Sequence, residues 1–161
     1  MKDRLAGQLD LTRLFDPLAA RALPASLVLR GNDVARDADA TCAVIGSPSL
    51  KNDLVGNAAR TTASAGQLLR AWHEHGAEVA ARIGGSYALV IVDAARQCVF
   101  LAVDRFAVET LCYRTDGETL AFSDRADCVE GRGNELDAQA IFDYLYFHMI
   151  PAPRTIFRRV R

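Results

Sequence analysis

The feature that most constrains the fold is a series of four apolar segments between residues 87 and 123. The segments are Tyr87–Asp93, Cys98–Val103, Leu111–Thr115 and Thr119–Ser123. Ala94–Gln97 is a polar turn between the first two, and Asp116-Gly117 between the last two is a strong hairpin signal. Consecutive hairpins predict antiparallel sheet. Because nearly every strand position is apolar, both faces should be covered, which predicts stacked sheets with helices outside.

Two helices are predicted around these strands. The first follows Ser64, which is its predicted N-cap, and Gly76 is a predicted break within it. Its apolar residues at near-helical spacing are Leu68, Leu69, Trp72, Val79 and Ile83. The second helix is predicted from Leu136 to Met149, with Asn134 as its predicted N-cap. One stripe of this helix consists of Ile141, Tyr144, Leu145 and His148.

The N-terminal third shows shorter patterns. Its predicted elements are a half-buried strand at Leu5–Leu11, a short helix within Leu11–Leu23, strands at Ser26–Arg30 and Ala40–Ile45, and a helical turn in the loop at 47–63. Gly31-Asn32-Asp33 should end the first of the two later strands, and Gly46-Ser47-Pro48 the second. Asp93 and Asp104 are expected to cap or pair at strand ends.

Composition excludes several classes of function. The 161 residues suit one domain, and their net charge of −1 gives no global attraction to nucleic acid or to anionic membranes. No apolar run approaches the roughly 18 residues of a membrane helix. Met1–Arg4 does not lead into an apolar signal region, so the expected location is cytoplasmic.

The cysteines and histidines favour structural roles. Four cysteines, at positions 42, 98, 112 and 128, form no CxxC pair, so we expect buried thiols and neither a zinc site nor a disulfide. His73 and His75 flank Glu74, which invites interpretation as a metal site. Because residues two apart do not share a helix face, a solvated surface is the preferred interpretation.

The ordered segments resemble the N-terminal glutaminase domain of glutamine-dependent asparagine synthetases, a class-II glutamine amidotransferase. The resemblance rests on Ile83–Asp93, Val103–Tyr113, Ala121–Asp124 and a tail with Leu136–Phe147 and Pro151–Phe157. It is close over residues 64–161 and loose over residues 1–63. It implies an α+β, Ntn-hydrolase-like four-layer αββα sandwich with two stacked, mainly antiparallel sheets, truncated at its C-terminus.

The resemblance also implies a division of the chain and a set of partners. Residues 1–130 would form the amidotransferase-like domain, and residues 131–161 would lead toward an absent ligase domain. The family's ATP loop, Ser-Gly-Gly-x-Asp-Ser, is missing, so no cofactor is expected in this chain, and ATP and Mg²⁺ would bind only the ligase domain. The expected partners are that domain, in cis or in trans, and a second copy of the chain. The basic tail is either a docking segment or a solvated end; its arginines are Arg154, Arg158, Arg159 and Arg161.

The family's catalytic residues are replaced. Such glutaminases attack glutamine with an N-terminal cysteine whose own α-amine is the base. Alignment of Leu5-Ala6-Gly7 with the family's Ile-Ala-Gly places Asp3 at the cysteine position, and Lys2 disfavours removal of Met1. The family's oxyanion hole uses an Asn side chain and the following Gly amide. Here Ile45 replaces the Asn and Gly46 remains, and losing one such donor costs about 3 kcal/mol.

The substrate-binding residues are also incomplete. The family has an Asp just before the helix that follows Ser64, whereas this chain has Thr62–Ala65 there. Ser64 and Arg30 remain as candidate substrate contacts. We therefore expect an asparagine-synthetase-like amidotransferase domain without glutaminase activity. Two alternatives stay open: a working glutaminase with an atypical nucleophile, and an unrelated α+β binding module.

Overall fold

The computed structural model describes residues 5–11, 31, 33–51, 62–129 and 135–161. The strands within these ranges are β1 (Ala6–Asp10), β2 (Asp33–Arg36), β3 (Ala40–Leu50), β4 (Ile83–Asp93), β5 (Cys98–Val103), β6 (Cys112–Thr115) and β7 (Thr119–Ser123). The helices are α1 (Ala65–His75), α2 (Val79–Arg82), α3 (Ala126–Val129) and α4 (Ala138–Phe147), with a 3-10 turn at Gly76–Glu78. None of the helices in these ranges is long and apolar enough to cross a lipid bilayer.

The strands form two antiparallel sheets with the orders β2-β3-β4-β5 and β1-β7-β6. Alternate side chains of β3 and β4, among them Ile45 and Val90, form a buried cluster with Leu9 and Phe122 of the second sheet. The intervening side chains of β3 and β4 form another buried cluster with α1. Both faces of β3 and β4 are therefore covered, which confirms the predicted α+β fold with two stacked antiparallel sheets.

Strand β3 is longer than its sequence pattern predicts. It pairs with β4 along all eleven of its residues, so the prediction that Gly46-Ser47-Pro48 ends the strand is wrong. The Pro48 carbonyl accepts a hydrogen bond from the Ala63 N–H at 2.7 Å. Because that side of Pro48 faces away from β4, its missing N–H removes no bond from the ladder. The helical turn predicted within 47–63 is strand up to Leu50, and residues 52–61 lie outside the described residues.

Helix α1 begins where the sequence predicts. The Ser64 hydroxyl accepts a hydrogen bond from the Gln67 N–H, and the Gln67 side chain accepts one from the Ser64 N–H. Gly76, with a φ of 57°, follows the last residue of α1, which confirms the predicted break. The predicted apolar residues of this segment are all buried: Leu68, Leu69, Trp72, Val79 and Ile83.

Both predicted hairpins are present, as β4–β5 and β6–β7. The predicted N-terminal strand is also confirmed, and β1 pairs with β7 from Ala6 opposite Ser123 to Asp10 opposite Thr119. Strand β6 is an edge strand of its sheet.

The pattern fails to predict β2. Asp33, expected in a strand-ending turn, is the first residue of β2, because residues 33–36 pair with residues 41–44 of β3.

Helix α4 begins after Asp137, whose carboxylate accepts a hydrogen bond from the Gln139 N–H at 3.0 Å. Three predicted features lie wholly or mostly outside the described residues: the N-cap Asn134, the strand Ser26–Arg30 and the helix within Leu11–Leu23.

Candidate functional site

The start of β1 lies beside the end of β7 and the loop before β6. The Leu5 carbonyl accepts a hydrogen bond from the Asp124 N–H at 2.9 Å. The Thr110 hydroxyl donates to the Asp124 carbonyl at 2.7 Å. These two bonds bring the loop that contains Thr110 to the point where the chain enters its first strand. This is the end of the sheets at which the sequence resemblance expects catalysis.

Gly46 of β3 lies against the same loop. Its φ is 92°, and a β-carbon built on it would lie 2.3 Å from the Ser86 carbonyl oxygen and 2.9 Å from Cγ of Glu109. The Glu109 side chain therefore occupies the space directly over the Gly46 α-carbon. Because Glu109 precedes Thr110, Gly46 and the start of β1 belong to one region. We call this region the Gly46 site and define it as Gly46, Ser86, Glu109, Thr110 and Asp124.

Ile45, next to Gly46, offers this site no hydrogen-bond donor from its side chain. It is 1% exposed and belongs to the cluster between the two sheets. An oxyanion formed near Gly46 would need preorganised donors about 3 Å away. Ile45 offers hydrocarbon instead, and the nearest side chain over Gly46 is the acidic Glu109. Neither the hydrocarbon side chain of Ile45 nor an ionised carboxylate can donate a hydrogen bond to such an oxyanion.

Asp104 positions the loop that carries Glu109. Its carboxylate accepts hydrogen bonds from the N–H groups of Tyr87, Phe106, Val108 and Glu109, at 3.2, 2.9, 3.0 and 3.3 Å respectively. Burial alone would raise the pKa of Asp104, but these donors outweigh it and hold the pKa below its ordinary value. The prediction that Asp104 caps a strand end is confirmed.

The lowered pKa of Asp104 makes the stability of this loop depend on pH. The depressed pKa means that the carboxylate stabilises the fold above its unfolded-state pKa of about 4, and that this contribution disappears as pH falls through the folded-state pKa. As pH falls from about 5 to about 2, we expect the free energy of unfolding to decrease less for the Asp104→Asn variant than for the parent chain. Urea unfolding across that range checks this, and parallel acid limbs for the two proteins would contradict it.

Of the other predicted site residues, the structure describes only Ser64. Ser64 lies at the N-terminus of α1, where its hydroxyl already accepts the Gln67 N–H, so its role as a substrate contact stays a prediction. Asp3 and Arg30 lie outside the described residues, and their roles likewise stay predictions. Sequence reasoning missed Glu109, because only the path of the loop around Asp104 brings it to Gly46.

The cysteines, all within the described ranges, form no disulfide. Cys42 is buried, Cys98 and Cys112 are half-buried, and Cys128 is exposed, so the expectation of buried thiols is wrong for Cys128. Burial, together with the charge of Asp33, raises the pKa of Cys42 to about 12. Burial is also the main cause of the raised pKa values of Cys98 and Cys112. Because the thiolate is the nucleophile, these three thiols are poorly suited to attack an amide.

The two histidines of α1 have separate neighbours. His73 Nε2 lies 2.7 Å from Asp37 Oδ2, and His75 Nε2 lies 3.7 Å from Glu74 Oε2. Within the described part of the chain, no three potential metal ligands lie together. The histidines do not converge on a common point.

Comparison with known proteins gives the same relationship as the sequence resemblance. A family model described as a glutamine amidotransferase domain matches residues 44–161. The putative asparagine synthetases (glutamine-hydrolyzing) of Mycobacterium bovis and of Mycobacterium tuberculosis H37Rv are each 32% identical to this chain over 100 residues. The aligned part is 58% of this chain but only 15% of each relative. The chain therefore matches a small part of the curated relatives' length.

Proposed function

This chain belongs to the glutamine amidotransferase domain family, and we propose that it is a member that has lost glutamine hydrolysis and serves an asparagine-synthetase-like ligase. Its relation to asparagine synthetases is supported by the two mycobacterial relatives. The family match excludes the alternative of an unrelated binding module. The open question is therefore whether the domain still releases ammonia from glutamine.

The arrangement at Gly46 is the observation that supports loss of activity most directly. A tetrahedral intermediate needs donors aimed at its oxyanion, and removing one donor costs about 3 kcal/mol, or more than a hundredfold in rate. Here the neighbouring side chain is the buried Ile45, and the Glu109 side chain covers Gly46. Both features act in the same direction, because neither Ile45 nor an ionised Glu109 can donate a hydrogen bond to the oxyanion.

The nucleophile is the second support. Alignment places Asp3 where the family has its N-terminal cysteine, so this position supplies neither a thiol nor the pairing of thiol and α-amine that the mechanism uses. None of the internal cysteines combines a thiol with a free α-amine. The raised pKa values of Cys42, Cys98 and Cys112 further reduce their nucleophilic character.

A domain of this kind would act through its partner. The ligase would bind ATP and Mg²⁺ and use ammonia or a free amine in place of glutamine nitrogen, while this domain covers or docks onto it in cis or in trans. The division into residues 1–130 and 131–161, and a cytoplasmic location, are parts of the same proposal. An active glutaminase with an atypical nucleophile remains the competing function.

The direct test measures glutamate released from glutamine by the purified chain. We expect no release above that of heat-denatured protein, because both the nucleophile and the oxyanion donor are replaced. Release that persists after cysteine alkylation would instead identify a glutaminase with an atypical nucleophile.

A partially repaired variant separates the two losses. Deleting Lys2 and introducing Asp3→Cys creates a Met-Cys start, and the same deletion with Asp3→Ala is the matched control. We expect both variants to remain inactive, because Ile45 and Glu109 still leave the oxyanion without a side-chain donor. If the cysteine variant hydrolyses glutamine rapidly and the alanine variant does not, the Gly46 site is still competent and only the nucleophile has been lost.

A further inference from the structure

The turn between β6 and β7 contains a chemically reactive pair of residues. Asp116-Gly117 is the only Asp-Gly pair in the sequence, which has no Asn-Gly pair. Both residues are exposed, and a β-carbon built on Gly117 would meet no atom within 4 Å. Because glycine has no side chain, the main-chain nitrogen after the aspartate is open to approach. The Asp116 carboxyl group therefore lies next to an unhindered main-chain nitrogen.

This pairing allows a rearrangement of the main chain. The Gly117 nitrogen attacks Cγ of Asp116, a C–N bond forms, and a five-membered succinimide ring closes. The Gly117 N–H proton, one carboxylate oxygen and one proton from solvent leave as water. A second water then opens the ring. Opening at the Asp116 main-chain carbonyl leaves the chain connected through Cγ as an isoaspartate, with no change in mass.

The hydrogen bonds of the turn hold both reacting groups. Asp116 Oδ1 accepts the N–H groups of Glu118 and Thr119 at 3.1 and 2.7 Å. The Thr119 hydroxyl lies 2.8 Å from Oδ1 and 2.7 Å from Oδ2 of the same carboxylate. The Gly117 N–H donates to Thr115 Oγ1 at 3.2 Å. Ring closure removes the Gly117 proton and one carboxylate oxygen, so bonds to both groups would be lost.

The same bonds keep the carboxyl group ionised. They lower the pKa of Asp116 to about 2, and the Thr119 hydroxyl is the largest cause. A carboxylate must be protonated before one of its oxygens leaves as water, so donors that favour the charged form slow ring closure. We propose that Asp116-Gly117 is a latent isoaspartate site, which the hydroxyl groups of Thr119 and Thr115 protect in the folded chain.

Isomerisation at this site would disturb the second sheet. An isoaspartate lengthens the main chain of the loop by one carbon atom. This loop joins Thr115 to Leu120, which are paired across β6 and β7. Because loop length and turn type fix the register of a hairpin, the added atom disfavours this pairing. Strand β7 also pairs with β1, so the damage would reach all three strands.

The first experiment compares the folded chain with a free peptide of residues 115–125, the fragment that trypsin releases after Arg114 and Arg125. Both are incubated at neutral pH, and isoaspartate is counted by enzymatic methylation with a protein isoaspartate methyltransferase. The peptide should accumulate isoaspartate at least about tenfold faster, because its donors are not held in place. Equal rates would overturn the protection, and a peptide that forms no isoaspartate would overturn the site.

Variants at Thr119 test which group protects the turn. Thr119→Val removes the hydroxyl and should raise the rate in the folded chain about tenfold, whereas Thr119→Ser keeps a hydroxyl and should change it less than about twofold. The valine substitution should have little effect in the free peptide, where the hydroxyl is not fixed. A valine variant no faster than the parent chain would overturn the role of Thr119.

A further variant controls for a general loss of stability. Asp93→Ala removes a buried carboxylate from the other sheet and leaves the hydrogen bonds of the β6–β7 turn in place. The fluorescence of Trp72 shows whether each variant is folded. Folded Asp93→Ala should form isoaspartate at the rate of the parent chain. A rate as high as that of Thr119→Val would show that global unfolding controls the reaction, and would overturn the proposal.

Discussion

Alanine at Gly46 is expected to lower the free energy of unfolding by about 3–5 kcal/mol. The added β-carbon would lie 2.3 Å from the Ser86 carbonyl oxygen, a backbone atom held in the β3–β4 ladder. It would also lie 2.9 Å from Cγ of Glu109, and the φ of 92° disfavours any residue with a β-carbon. The clash and the backbone strain therefore act together, and both strands would have to separate to relieve them.

A matched substitution separates the clash from the strain. Gly117 in the β6–β7 turn has a φ of 96°, but a β-carbon there would meet no atom within 4 Å. Gly117→Ala should therefore cost only the conformational part, about 1–2 kcal/mol. Urea unfolding followed by the fluorescence of Trp72, the single tryptophan, measures both variants. Equal losses at the two glycines would contradict the close packing of β3 against β4 at the Gly46 site.

Removing the Asp93 carboxylate is expected to cost about 3–4 kcal/mol. Asp93 is 1% exposed, and its Oδ2 accepts the Trp72 indole N–H at 2.7 Å. It also accepts the Arg96 backbone N–H at 2.7 Å and the Arg96 guanidinium at 3.3 Å. The same guanidinium donates to the carbonyls of Trp72 and His73, so the carboxylate joins the end of α1 to the β4–β5 turn. Asp93→Ala leaves the buried indole N–H without its acceptor.

Two further variants test this interpretation of Asp93. Asp93→Asn keeps one acceptor oxygen but loses the charge, so it should destabilise less than alanine does. Asp116→Ala is the control for an exposed carboxylate that organises its own turn through the Glu118 and Thr119 N–H groups. Its loss of stability should be smaller than that of Asp93→Ala. Equal unfolding midpoints for Asp93→Ala and Asp116→Ala would show that the buried network contributes little.

The hairpins and α1 could be predicted because their signals are local. Asp116-Gly117 specifies its own turn, and the Ser64 capping box satisfies the first turn of α1 with its own residues. The length of β3 could not be predicted, because Pro48 is tolerated only where the side that lacks an N–H faces away from β4, toward Ala63. The four residues of β2 have no strong pattern of their own and depend on pairing with β3.

The candidate site was predictable only in part. The replacement of the oxyanion Asn by Ile45 follows from the sequence resemblance, and the burial of Ile45 is consistent with a strand in the core. The position of Glu109 depends on five successive loop residues turning around Asp104, and no local pattern specifies that path. Tertiary packing therefore decides which acidic group lies over Gly46.

The strand pairing has a consequence for how the chain acquires its fold. β1 pairs with β7, so Ala6 can pair with Ser123 only after the residues up to Ser123 have been synthesised. β3 can likewise pair with β4 only after the residues between Leu50 and Ile83 have been synthesised. Such distant pairings make folding slow, because chain entropy is lost before the contacts form. The first strand is thus synthesised early but incorporated late.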